Sequence, residues 1–128
     1  MKKLLILLLA STPATAHEAP KGWLYEGSCC AGDDCQQVDS SVMHIVPGGI
    51  ALVMKAGDHK KLESDITFDA TRVLKRSKDE FLHVCLIKMA TPKQWQPTPD
   101  QDRDYVYMKA ADGSWYRLLC VYIPKENG

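Results

Sequence analysis

The apolar positions of this chain fall into short β-rich runs separated by turns that carry glycine or proline, the pattern of an all-β fold. Residues 41–46 (SVMHIV) and 50–56 (IALVMKA) flank Pro47-Gly48-Gly49, which predicts a hairpin with His44 on an apolar face as a core or edge residue. Residues 57–61 (GDHKK) read as a polar turn. Residues 69–80 (DATRVLKRSKDE) suit a short helix or a strand that ends in a turn at Ser77 to Glu80, and the β-rich run directly after them favours the strand. In the run EFLHVCLIKM that follows, Phe81, His83, Cys85 and Ile87 share one face and Leu82, Val84 and Leu86 the other. With both faces largely apolar, this run predicts a central, buried strand. Residues 105–124 form the clearest element: two strands around Asp112-Gly113, a type I′ signature, closed by Pro124. The expected architecture is mainly β, a small antiparallel sheet or barrel of hairpins, with an irregular cysteine-bearing segment at 17–41 and a proline-rich loop at 90–104.

The first residues decide the compartment. Lys2 and Lys3 precede an apolar run from Leu4 to Ala10 and then Ala14-Thr15-Ala16, the three-part layout of a secretory leader. The run is too short to span a bilayer, which needs about 20 apolar residues. Cleavage after Ala16 leaves residues 17–128 as one small domain, periplasmic or secreted, with no stable membrane insertion. Its charge is close to balanced, so nucleic acid is not an expected partner; the basic stretch RVLKRSK (Arg72, Lys75, Arg76, Lys78) reads as a solvated turn or strand edge.

Export makes cross-links the leading explanation for five cysteines in so short a domain: Cys29, Cys30, Cys35, Cys85 and Cys120. An odd count allows at most two bridges within one chain, and the connectivity stays open among fifteen arrangements. Adjacent Cys29 and Cys30 do not suit each other. In extended backbone one of them faces the core and the other the surface. At least one of Cys29, Cys30 and Cys35 is expected to be tied to Cys85 or Cys120, anchoring the N-terminal segment. The leftover thiol can also join two chains.

Metal binding is the alternative. His83 and Cys85 lie two apart on one strand face, close enough to share zinc or Cu(I) with the cysteine cluster, although the spacing fits no standard zinc module. His17, once N-terminal, can bind copper through its amine and ring nitrogen, with His44, His59 or His83 completing the site. No Cys-x-x-Cys, Gly-x-Ser-x-Gly, His-Glu-x-x-His, P-loop or dinucleotide motif occurs, so an enzyme is the lesser expectation. Trp23 and Tyr25 are expected to cover one edge of the core, with a ligand-stacking platform as the lesser alternative; with the loop-borne Trp95 they make up the candidate contact surface.

Taken together, Trp23 and Tyr25, Cys29-Cys30 with Asp34-Cys35, His83-Val84-Cys85, and Cys120 with Pro124 four residues on resemble the pattern of a set of small exported proteins of Gram-negative bacteria that have no assigned activity. The resemblance implies export, and cysteine and aromatic positions that matter to the fold; it transfers no catalytic role. The functional expectation is a non-enzymatic exported domain that binds a protein or envelope component, an inhibitor-like role being one form of it, with a copper-binding or thiol-redox protein of the periplasm as the alternative.

Overall fold

The computed structural model describes residues 18–30, 33–89 and 106–125. Among them eight strands form two sheets: β1 (Cys35–Val38), β2 (Met43–Val46), β3 (Gly49–Met54), β4 (Ile66–Asp69), β5 (Leu74–Arg76), β6 (Leu82–Met89), β7 (Val106–Lys109) and β8 (Trp115–Ile123). The larger sheet runs β1-β6-β8-β5, with β7 also on β8; the smaller runs β2-β3-β4. Every pair is antiparallel except β5 with β8.

Period-two alternation sends the two faces of β6 into two different cores. Leu82, Val84 and Leu86 pack with Leu52, Met54 and Phe68 of the small sheet and with Tyr116, Leu118 and Val121 of β8. Cys85 lies on the other face, among Tyr25, Cys29, Cys30, Cys35, Leu119, Cys120 and Tyr122 beneath the N-terminal segment. Burying each large apolar side chain contributes about 1.5–3 kcal/mol, so a strand that uses both faces anchors the whole fold. The predicted central strand is therefore the one observed.

A bulge in β8 adjusts the alternation. Cys85 pairs with Cys120 and Leu86 with Leu118, so Leu119 is an extra residue. Without it Cys120 would share a face with Leu118; with it, both Leu119 and Cys120 turn to the second cluster while Leu118 and Val121 stay in the first.

Both predicted hairpins are present, and one turn differs from expectation. Val46 opposite Gly49 leaves the two-residue turn Pro47-Gly48. At Asp112-Gly113 the loop holds three residues, because Ala110 N–H donates to the Ser114 carbonyl and Gly113 N–H to the Ala110 carbonyl. Gly113 has φ +89°, while no non-glycine residue among those described has positive φ. A type I′ turn needs positive φ at both central positions; this is a type I turn followed by a glycine bulge. Asp112 Oδ1 accepts from Ser114 N–H at 2.9 Å, a side-chain contact that helps set the turn.

Three local expectations hold only in part. Residues 69–80 hold a single 3-10 turn (Thr71–Val73) and then the short β5, placed parallel to β8 rather than in a hairpin. His44 is an edge rather than a core residue: β2 stands at the rim of the small sheet and its histidine is exposed on the outer face. Cys29 and Cys30 are both buried: each donates its N–H to the Glu26 carbonyl, so the backbone turns there and the alternation of an extended chain does not apply.

Candidate functional site

The N-terminal segment is held to the sheet by an aromatic and polar cluster centred on His83. Its Nδ1 is 2.8 Å from the Tyr25 hydroxyl and its Nε2 is 2.8 Å from Asp79 Oδ1. Asp79 accepts further bonds from Trp23 Nε1 (2.7 Å), Ser77 Oγ (2.8 Å) and Phe81 N–H (2.9 Å). Burial alone would raise the Asp79 carboxyl, but the donors from Trp23, His83, Phe81 and Ser77 outweigh it and hold the group well below the usual carboxylate range. With Asp79 ionised, His83 carries its proton on Nε2, and the Tyr25 hydroxyl donates to Nδ1 when the ring is neutral. Burial, followed by the nearby Asp79 charge, pushes the Tyr25 hydroxyl above its ordinary value. The Trp23 ring meets Tyr25, His83 and Tyr122 edge-on at 4.9, 5.0 and 5.3 Å between centroids.

This constellation has the residue types of acid–base chemistry but not the access. Tyr25, Asp79 and His83 are all buried, and their polar atoms are spent on one another. It works as a clasp between the N-terminal segment and the turn before β6, joined at the surface by the Lys21–Glu80 ion pair and by Lys21 lying over the Phe81 ring.

Beside the clasp, the sulfurs form a row. Cys35 pairs in register with Cys85, and Cys85 with Cys120, so β1, β6 and β8 carry three adjacent cysteines on one face. Two disulfides use them: Cys29–Cys120 and Cys35–Cys85. Both link the early cluster to the later strands, as the sequence led one to expect. Cys30 takes part in neither bridge and is 1% exposed, so joining a second chain through it would require this segment to open.

The groups proposed for metal binding are dispersed or engaged. Cys85 is in a disulfide, His83 is bonded to Asp79 and Tyr25, and His44 is exposed on β2. His59, expected in a polar turn, is buried; its Nε2 donates to the Asp34 carbonyl (2.9 Å) and its Nδ1 accepts from Lys61 N–H (3.1 Å). Burial lowers its proton affinity despite the bond to the Asp34 carbonyl. No group of three or more His, Cys, Asp or Glu side chains converges on a metal position among the described residues. His17 and Trp95 lie outside the described residues, as do residues 1–16 and 90–104, where a leader and a proline-rich loop are expected. Of the expected contact surface, Tyr25 is buried and Trp23 half-buried.

The open feature lies elsewhere. β7 flanks β8 from Trp115 to Leu118 and β5 flanks it from Val121 to Ile123, so among the described residues no strand pairs with Leu119 and Cys120 on that side. A cleft of about 250 Å³ occupies the gap, lined by Ser28, Arg72, Val73, Leu74, Lys75, Leu119 and Cys120. Both charged side chains of its lining are cationic, and Lys75 also reaches Glu26 at 2.7 Å. A smaller cleft of about 90 Å³ on the same strand is lined by Arg76 and Lys125 with Ser77, Ile123 and Pro124. The sequence showed the basic run; it did not show that a gap in the strand order lies beside it.

Neither a scan against protein-family models nor searches of curated proteins and of solved structures return a match to this chain.

Proposed function

We propose that this is an exported, non-enzymatic binding domain that engages an anionic group on a protein or envelope component through the cleft beside β5. The observation that carries the reading is the cationic lining, Arg72 and Lys75 around a 250 Å³ gap in the sheet. Apolar walls from Val73, Leu74 and Leu119 lower the local dielectric and strengthen attraction for an anion relative to open water. Export is supported by the leader-like first 16 residues together with two disulfides, which persist in oxidising compartments. A binding role rather than catalysis is favoured because Tyr25, His83 and Asp79 are buried and none of them lines the cleft.

Binding of the purified protein to isolated Gram-negative envelope fragments tests this. The wild type should bind, and more weakly at about 300 mM than at about 50 mM salt. Arg72→Glu with Lys75→Glu should lower affinity about tenfold, the sum of two exposed charge contacts. Equal binding by the two proteins, or none by either, would remove the cleft from consideration.

A further inference from the structure

An edge strand presents N–H and C=O groups that another strand can take, and natural folds usually guard such edges. The edges here are guarded unequally. β5 carries Lys75 and Arg76. β1 is braced by the loop before β4, through His59 to the Asp34 carbonyl and Lys60 N–H to Gln36 Oε1. β4 and β7 lie against each other. β2 has none of these devices: no strand among the described residues pairs with its outer side. Ile45, on that strand, is 87% exposed, and from Ser40 through Met54 there is no Asp, Glu, Lys or Arg.

Backbone geometry defines what the edge offers. Ile50 directs its carbonyl to Ala70 N–H (2.8 Å) and its N–H to Thr71 Oγ1 (3.2 Å), both away from β2. Ile45 stands opposite Ile50, so it exchanges no backbone bonds there, and its own N–H and C=O point to the open side. Two residues earlier, Met43 N–H is committed to the Ser40 carbonyl. Two residues later, Pro47 has no N–H. The edge therefore presents one complete donor–acceptor pair, at Ile45.

We infer that this edge docks a second copy of the chain, two β2 strands pairing antiparallel about a two-fold axis at Ile45. That register is self-complementary: each Ile45 N–H donates to the Ile45 carbonyl of the other copy. The two Ile45 side chains then lie side by side on one face, and His44 stands next to Val46 of the second copy on the other. The single donor–acceptor pair at Ile45, closed off by Met43 and Pro47, is matched by its own copy, and the lack of charge narrows the occupant further. A strand bearing Lys or Glu would find no counter-charge between Ser40 and Met54, whereas a second copy brings no like charge to oppose. A four-residue pairing belongs to the small-contact class below about 1,200 Å² of buried surface, so the dimer forms and dissociates with concentration.

Sedimentation equilibrium of the disulfide-intact protein, from about 10 µM to about 1 mM, tests the inference. The mass should rise from monomer toward dimer, and Ile45→Lys should stay monomeric throughout. Because Ile45 is exposed, that variant should keep the wild-type melting temperature. Amide hydrogen exchange supplies a second readout: Ile45 N–H should gain protection as concentration rises. A wild type monomeric at the highest concentration, a dimer that survives Ile45→Lys, or Ile45 protection independent of concentration would each overturn it.

Discussion

At the scale of single residues, Asp79 is the side chain on which most depends. It serves donors from Trp23, Ser77, Phe81 and His83, which come from both sides of the contact between the N-terminal segment and β6. Its depressed proton affinity has a definite sign. Above the ordinary carboxylate range both folded and unfolded chains are ionised, and the stabilisation is fully present. As pH falls through about 4 and below, the unfolded chain takes up the proton first and the stabilisation is withdrawn. Asp79→Asn, which keeps one acceptor oxygen but no charge, should cost about 1.5–3 kcal/mol at neutral pH, the range for a hydrogen bond to a charged group. It should also flatten the acid limb of the stability profile. Urea midpoints measured from neutral pH down to about 2 check both effects. A variant whose acid limb matched the wild type would show that other carboxylates govern acid unfolding.

Among the elements, the β2–β3 hairpin and the turn that crosses beneath it are joined at a glycine. A Cβ placed on Gly49 would lie 1.9 Å from Thr71 Oγ1 and 2.8 Å from its Cβ, closer than real atoms approach. Thr71 cannot retreat freely, because its hydroxyl accepts from Ile50 N–H and its own N–H is held by Asp69 Oδ1 at 3.0 Å. Gly49→Ala should therefore destabilise by about 1–3 kcal/mol through overpacking, read as a lower thermal midpoint. The hairpin itself was legible in the sequence, since strand runs and turn residues are local signals, and so was β6 with its two apolar faces. What was not legible depends on distant parts of the chain. Asp79 finds His83 and Trp23 only when the turn before β6 lies under the N-terminal segment. The cleft exists only because β5 and β7 share one side of β8 and leave two residues between them. The type I′ reading failed for a local reason: Asp112-Gly113 also suits the longer loop, and the bond from Ala110 to Ser114 selects it.

On the scale of the whole molecule, the two disulfides do different things, and their removal separates them. In the chain-entropy view a bridge stabilises by restricting the unfolded chain, and separations of 91 and 50 residues differ little by that measure, both falling at about 4–5 kcal/mol. The folded contexts differ more. Cys35–Cys85 joins two residues already paired by the β1–β6 ladder, so its loss leaves backbone bonds holding the same strands. Cys29–Cys120 ties a segment with few backbone bonds of its own to the centre of the large sheet. Its other attachments include the clasp at Asp79 and His83, the Glu26 N–H bond to the Tyr122 hydroxyl, and the surface ion pairs Lys21–Glu80 and Lys75–Glu26. Replacing Cys35 and Cys85 by serine should lower global stability by about 2–4 kcal/mol while amides of residues 18–30 keep their relative protection. Replacing Cys29 and Cys120 should lower it similarly but also let that segment open below the global transition, exposing Trp23 and admitting alkylation of Cys30. Hydrogen exchange, Trp fluorescence and mass-detected alkylation in mild urea read the difference. Identical local behaviour in the two variants would mean that the aromatic clasp alone holds the segment, and that the covalent tie acts only on the unfolded chain.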